Sequence, residues 1–186
     1  MIDFRGNAKL TDFGLSKRKS NIQDLNYSFC GSLNYMAPEV LTRIGHNHMC
    51  DIYTLGVLTY ELLAGFAPWG GNTINDVYKN ILKDELSFPK HFSSSAKNFI
   101  RSCMMRDRKK RLGYTNGIPD LLEHPFMKTS YKRVMAHQGK TVGPLANKLT
   151  QVKAARDKRL SVFMGTDNFG KDGQIYSCIN KTDFGH

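Results

Sequence analysis

The tripeptide Asp12-Phe13-Gly14 is the clearest candidate for metal chemistry, and it follows a short strand-like run at Ala8–Thr11. A carboxylate at the end of a strand can point into a cleft, where a hard oxygen ligand suits Mg²⁺. We expect the apolar Phe13 to pack inward and fix the direction of the carboxylate, while Gly14 permits a sharp exit. Alone, such a tripeptide is usually an ordinary turn, and we attribute a second copy at residues 183–185 to chance.

A second tripeptide, Ala37-Pro38-Glu39, follows about 25 residues after the first. The residues between them are mostly polar and predict a loop that ends in the runs S-F-C-G-S at 28–32 and Y-M-A-P-E at 35–39. This succession resembles the activation segment of eukaryotic protein kinases, which runs from D-F-G to A-P-E. The runs are similar to those of the AGC group of serine/threonine kinases, and most similar to those of its cyclic-nucleotide-dependent members.

An independent match lies at residues 111–126, where R-L-G, N-G-I-x-D-L and H-P-F follow in order. These sequences are similar to the end of AGC catalytic domains, so the resemblance covers residues 1–127. It implies a mainly α fold, the large C-terminal lobe of a kinase with a small N-terminal β-hairpin and no small lobe. The implied activity is transfer of a phosphoryl group from ATP to protein Ser or Thr, with Mg²⁺.

The N-terminal hairpin is predicted from two short strands, Met1–Asp3 and Ala8–Thr11, and a turn containing Gly6 and Asn7. In the family it resembles, this hairpin lies beneath ATP. The resemblance therefore assigns Met1, Thr11 and Asp12 to cofactor binding, with Asp12 as the Mg²⁺ ligand.

The family's catalytic loop comes directly before this hairpin, and it carries the general base, a phosphate-binding Lys and a metal-binding Asn. None of these residues is retained, and the G-x-G-x-x-G and V-A-I-K motifs of the small lobe do not occur in the sequence. We therefore predict that the 186-residue chain alone has no turnover and little affinity for ATP.

Ser28 is the activation-loop phosphosite by resemblance, and the alternative is an ordinary loop serine. A phosphate adds about −1.5 to −2 charges and can order a loop by pairing with nearby cations. Lys17, within the basic run at 17–19, is one such cation by analogy.

The resemblance also assigns a peptide-binding surface. Phe29, Leu33 and Met36 match a pocket for the residue after the phosphoacceptor, although each has local packing as its alternative. Ser32 matches a hydroxyl residue that braces the catalytic loop and marks Ser/Thr specificity. Glu61 matches a carboxylate that contacts basic substrate residues, so the expected partners are protein substrates with basic residues near the phosphoacceptor.

Two further roles are structural. In the family, the Glu of A-P-E forms a buried ion pair with a distant Arg that Arg111 matches, so the resemblance implies a Glu39–Arg111 pair. Neither ion of such a pair can be buried alone without a cost of several kcal/mol. Asp51 matches a residue that holds backbone amides of the catalytic loop. In this chain it is also predicted to cap a helix at 52–64.

Apolar periodicity predicts the remaining helices. The helix at 52–64 should bury a stripe comprising Ile52, Leu55, Leu58 or Thr59, and Leu62, widened by Val57 and Leu63, and end at Gly65. Further helices are predicted at 73–83, at 95–106 with Ser93 or Ser94 as the cap, and from Pro119. The run His46–Cys50 contains metal-binding residue types, but its spacing suits a loop better than a metal site.

Composition limits the other possibilities. The net charge is +11, and residues 127–186 hold 11 Lys/Arg against 4 Asp/Glu. We interpret residues 128–186 as a basic, partly disordered extension with a possible helix near 145–160 and a basophilic phosphorylation pattern at 158–161. Four cysteines without a C-x-x-C pattern indicate a cytoplasmic, or alternatively nuclear, protein. No apolar run is long enough for a membrane span.

Two other functions stay open at this point. A kinase-derived binding module would use the groove around Phe29–Met36 and Glu61 to hold a peptide or a regulatory subunit without catalysis. A nucleic-acid binder would depend on the charge of the extension alone, whose aromatic residues form no stacking pattern, so no nucleic acid is expected.

Overall fold

The computed structural model describes residues 1–3, 7–18, 21, 24–128 and 132. It divides the chain into two compact units, one comprising Met1–Lys9 and Lys140–His186 and the other Leu10–Gly139. The possible helix near 145–160, the pattern at 158–161 and the second D-F-G lie outside the described residues. The boundary at residue 127 stays a prediction.

In the first unit, the two ends of the predicted hairpin pair as antiparallel backbone. Ile2 and Ala8 form an isolated bridge, and the Lys9 N–H donates to the Met1 carbonyl at 2.8 Å. The Asp3 carboxylate accepts the Asn7 N–H at 2.8 Å, which adds a side-chain contact between the two ends. The paired backbone is shorter than predicted, since only Ala8 of the run Ala8–Thr11 forms a bridge.

The second unit is mainly helical, as the sequence predicts, and a single isolated bridge, Asn26 with His46, is its only β-structure in the described residues. The helices are α1 (Pro38–Leu41), α2 (Met49–Ala64), α3 (Ile74–Lys83), α4 (Ser94–Cys103) and α5 (Ile118–Glu123). Two 3₁₀-helices, Leu33–Tyr35 and Arg108–Lys110, precede α1 and α5 respectively. Among the described residues, none of these helices is both long and apolar enough to cross a membrane.

Side-chain caps set the starts of α3 and α4. Thr73 and Asp76 form a reciprocal capping box, in which the Asp76 N–H donates to the Thr73 hydroxyl and the Asp76 carboxylate accepts the Thr73 N–H. Ser93 caps α4 by accepting the Ala96 N–H at 3.2 Å. α4 ends at Cys103, three residues before the predicted end.

The start of α2 differs from the prediction. The helix begins at Met49 with His48 at the N-cap position, and Asp51 lies inside the first turn, so the predicted cap at Asp51 is wrong. An acidic side chain in a first turn still interacts favourably with the positive end of the helix. Gly65 ends the helix in a left-handed conformation, with φ 84°, where glycine has no steric penalty.

The core is built on α2, which packs mainly against α4. A Cβ on Gly56 would lie 2.6 Å from the Met104 Cγ and 2.9 Å from the Cys103 Cβ, so glycine permits this close approach. The largest fully buried side chains are Tyr53, Phe99, Met49, Ile81, Ile100, Val57 and Cys103.

The predicted buried stripe of α2 is partly wrong. Met49, Ile52, Tyr53, Val57 and Tyr60 are buried, whereas Leu58, Leu62 and Leu63 are exposed. α2 is apolar around most of its circumference, so apolar spacing alone cannot select the covered face.

Candidate functional site

The Glu39–Arg111 ion pair fixes the end of the segment that begins at Asp12. The Nη1 and Nη2 atoms of Arg111 each donate to one carboxylate oxygen of Glu39 at 2.6 Å, and both residues are buried, at 3% and 2% exposure. Arg111 also donates to the Met49 and Met105 carbonyls at 2.8 and 2.7 Å. The structure thus brings together the two residues that the sequence pairs, and joins α1 to the start of α2.

Lys17 and Ser28 meet in the middle of the segment. The Lys17 ammonium donates to the Ser28 hydroxyl and, at 3.0 Å, to the Asn26 side-chain oxygen. The same Asn26 oxygen accepts the Ser28 hydroxyl at 3.0 Å and the Ser28 N–H at 3.2 Å. The Ser28 hydroxyl therefore lies beside the Lys17 ammonium group.

Asp12 occupies a special backbone conformation at the start of the segment. Its φ is 63°, in the left-handed region that a non-glycine residue seldom adopts. The carboxylate is exposed and accepts the Gly14 N–H at 3.4 Å through Oδ1. Such conformations concentrate at functional sites, where surrounding structure holds a side chain in one direction.

Other residues near the start of the chain differ from expectation or lie apart. Phe13, expected to pack inward, is 62% exposed, because no described residue forms a surface that covers it. Thr11 is also exposed. Met1 belongs to the first unit, where its ammonium donates to the Lys9 carbonyl at 2.8 Å.

The chemistry of Asp12 fits one ligand position of a Mg²⁺ ion. Its carboxylate is an oxygen donor with room for a second partner, and this ion prefers a few carboxylates together with phosphate and water oxygens. Within the described ranges, no group of three or more His, Cys, Asp or Glu residues is placed to hold a metal. This also leaves the run His46–Cys50 without a metal site in the described residues.

Four of the residues predicted to bind peptide lie on or near the 3₁₀-helix Leu33–Tyr35. Phe29 is 41% exposed, Ser32 is exposed and Leu33 is half-buried, whereas Met36 is buried in the core. Met36 therefore packs in the core next to these residues. Local packing was the alternative to peptide binding that the sequence left open for Met36. A cavity of about 330 Å³ lies beside it and is lined by residues that include Ser28, Ser32, Tyr35, Met36, Asp51 and Thr54.

Tyr35 and Glu61 join this surface to α2. The Tyr35 hydroxyl donates to the Glu61 carboxylate, and this hydrogen bond is the main cause of the raised pKa of Tyr35. The Thr54 hydroxyl donates to the Tyr35 carbonyl at 3.2 Å, so a second α2 residue holds the same turn. The sequence identified Glu61 but missed Tyr35, because a contact across 26 residues leaves no local pattern.

Asp51 lies on the open side of α2. It is exposed, and in the described residues its carboxylate accepts only a weak hydrogen bond, from the Cys50 thiol at 3.8 Å. The spacing 51, 55, 58 and 62 places Asp51 on the same helix face as Leu58 and Leu62. A carboxylate and two exposed leucines thus form one open face along the helix, defined here as the outer face of α2.

Comparison with known proteins agrees with this arrangement. The profile of the protein kinase domain matches residues 1–127, which is most of the chain. The chain belongs to the protein kinase family.

Several relatives are serine/threonine kinases of AGC type. The chain is 41% identical to ribosomal protein S6 kinase 2 beta of Xenopus laevis over 130 residues, which are 69% of the chain and 21% of that protein. It is 39% identical to serine/threonine-protein kinase YPK1 of Saccharomyces cerevisiae over 136 residues, 73% of the chain and 20% of that protein. The matched region of this kinase-family chain thus spans about a fifth of the length of these relatives.

Proposed function

We propose that the chain is part of a serine/threonine protein kinase and supplies its activation segment and its substrate-binding surface. The observation that carries this proposal is the anchored segment from Asp12 to Glu39. The Glu39–Arg111 pair holds one end, Lys17 holds Ser28, and Tyr35 is bonded to Glu61. In the proposed kinase, ATP with Mg²⁺ supplies the phosphoryl group.

Each side chain has a proposed task in this scheme. Asp12 contributes one oxygen ligand to Mg²⁺, and Thr11 lies beside the nucleotide. Ser28 is a regulatory phosphosite, where Lys17 would neutralise part of the added charge and order the segment. These tasks are positioning and electrostatic, which is the larger share of catalysis in phosphoryl transfer.

The outer face of α2 supports the proposal that further kinase segments pack here. Leu58 is 43% exposed and Leu62 is 77% exposed, although both belong to a helix that is apolar on most sides. Asp51 adds a carboxylate with free acceptor positions to the same face, suited to backbone N–H groups. We propose that this face binds the segment that carries the general base and the phosphate-binding Lys.

The expected substrates are proteins with basic residues near the phosphoacceptor, which Glu61 would contact. A cytoplasmic location and the likeness to the cyclic-nucleotide-dependent branch are finer parts of the same proposal. The S6 kinase and YPK1 relatives support the AGC group and give no support to the cyclic-nucleotide-dependent branch. A regulatory subunit or domain is a further proposed partner.

The second candidate is a kinase-derived binding module, and one observation favours it. Two residues of α2, Glu61 and Thr54, each form a hydrogen bond with Tyr35 beside the proposed peptide surface, although the chain contains no H-R-D catalytic loop. Such a module would hold a basic peptide without transferring phosphate.

A phosphate-transfer assay separates the two candidates. The 186-residue chain should transfer no labelled phosphate to a basic serine peptide, whereas a longer version carrying both the small-lobe motifs and an H-R-D-x-x-x-x-N segment before Met1 should be active. Asp12→Asn in the longer version should abolish this activity, and Asp24→Asn serves as a matched control outside the metal site. Robust Asp12-dependent transfer by the 186-residue chain would contradict the division of labour proposed here, and inactivity of the longer version would favour the binding module.

A further inference from the structure

Arg43 occupies a backbone position that glycine usually fills. It follows Thr42, the C-cap residue of α1, and its φ is 56°, in the left-handed region. A helix commonly ends with a glycine in this conformation, because an L side chain there is strained. A long side chain kept at such a position indicates that its contacts outweigh the strain.

The loop that carries Arg43 is held from two sides. Asn26 and His46 exchange both backbone hydrogen bonds, each 2.8 Å long, and so tie the loop to the activation segment. Arg108 donates to the Gly45 carbonyl at 2.6 Å from the opposite side. The loop therefore holds Arg43 at a fixed distance from the residues after Asn26.

The side chain of Arg43 lies over the ring of Phe29. Its guanidinium carbon is 4.9 Å from the ring centroid, within the range of a cation–π contact. A guanidinium stacked by its flat side keeps its edge N–H groups for a second partner. Arg43 is exposed, and in the described residues no carboxylate forms an ion pair with it.

We propose that Arg43 is a specificity-determining residue that binds a carboxylate side chain of the substrate peptide. This inference rests on the proposed function, in which Phe29 lines the pocket for the residue after the phosphoacceptor. The next peptide residue would then lie beside the guanidinium and be favoured as Asp or Glu. Glu61 carries the opposite charge in the part of the surface that contacts the basic residues before the phosphoacceptor.

The neighbouring sequence is consistent with this polarity. Asn34 is exposed and neutral, so no charge there would repel an acidic residue. The resulting surface attracts a basic stretch at one end and an acidic side chain at the other. Such complementary charges select among peptides more than they raise affinity overall.

Peptide binding to the full 186-residue chain tests the proposal. Labelled peptides would carry two arginines before the serine, one apolar residue after it, and then Asp, Asn or Lys. By fluorescence anisotropy the Asp peptide should bind about three- to fivefold more tightly than the Asn peptide, the range of an exposed ion pair. The Lys peptide should bind more weakly than the Asn peptide.

Arg43→Gly is the decisive variant, because glycine relieves the strained backbone and should therefore retain the fold. It should remove the difference between the Asp and Asn peptides, and Arg43→Lys should keep most of it. Arg101 is a matched control, since its guanidinium stacks over Phe88 at 4.7 Å, and Arg101→Ala should leave the preference unchanged.

The outcomes separate this inference from the proposed function. Glu61→Gln should weaken binding of all three peptides alike. If that holds and Arg43→Gly still prefers the Asp peptide, or the unaltered chain shows no preference, the role of Arg43 is wrong and the peptide surface stands. If no peptide binds the unaltered chain, the peptide surface and the role of Arg43 are both wrong.

Discussion

At the scale of single residues, His124 connects the end of α5 to α4. Its Nδ1 accepts the Phe126 N–H at 3.2 Å, so its Nε2 carries the proton that is donated to the Asn98 side-chain oxygen at 2.8 Å. Partial burial lowers the pKa of His124 below its usual value of 6.5, because a desolvated imidazolium is disfavoured. Protonation would also remove the acceptor that the Phe126 N–H requires.

This geometry predicts a loss of stability in mild acid. The unfolded chain binds a proton at His124 more readily than the folded chain does. The contribution of the neutral His124 imidazole to the free energy of unfolding is therefore complete above pH 6.5. It is lost as the pH falls through the lower pKa that His124 has in the folded state. Unfolding by urea at pH 7.5 and pH 5 should show a smaller acid loss in His124→Gln than in the unaltered chain. Equal acid losses in both proteins would contradict this role of the imidazole.

The Glu39–Arg111 pair shows what the sequence predicts at this scale. The two residues are 72 positions apart, and no periodicity connects them. They were paired only because each belongs to a recognisable block of the family. The further bonds of Arg111 to the Met49 and Met105 carbonyls had no sequence signal, because any residue could supply a backbone carbonyl.

At the scale of elements, Tyr53 and Trp69 join α2 to the connection that follows it. The Trp69 N–H donates to the Tyr53 hydroxyl at 2.9 Å in a buried position. Burial raises the pKa of Tyr53 to about 12, so the hydroxyl stays neutral.

A double-mutant cycle should measure this hydrogen bond. Tyr53→Phe leaves the Trp69 N–H buried without a partner, which should cost about 1–3 kcal/mol of unfolding free energy. Adding Trp69→Phe to Tyr53→Phe removes the unpaired donor, so the two effects should not add. The cycle is read from urea unfolding followed by circular dichroism. Additive effects would mean that the hydrogen bond contributes nothing beyond packing.

The elements also show where sequence prediction ends. The strongly amphipathic helices α3 and α4 were predicted within one residue at their starts, since their caps and apolar faces agree. α2 was predicted with the wrong cap and a partly wrong face, because its apolar residues surround the helix and Asp51 resembles a cap. When a helix is apolar on most sides, the neighbouring elements that pack against it determine which face is buried.

At the scale of the whole molecule, the outer face of α2 has a consequence for the chain in solution. Leu58 and Leu62 are four residues apart, so their exposed side chains adjoin along the helix. Contiguous exposed apolar surface on a protein favours its association with other molecules. We therefore predict that the 186-residue chain self-associates through this face.

The double substitution Leu58→Gln and Leu62→Gln should reduce this association and leave the unfolding free energy almost unchanged, because neither side chain is part of the core. Light scattering at increasing concentration measures the association, and Ile74→Gln is a matched control at an exposed apolar residue of α3. In a longer version that carries the preceding kinase segment, the same double substitution should instead destabilise the fold, since the leucines would then be covered. An equal, small effect on stability in both versions would mean that the outer face of α2 stays open, and that the catalytic segment packs elsewhere.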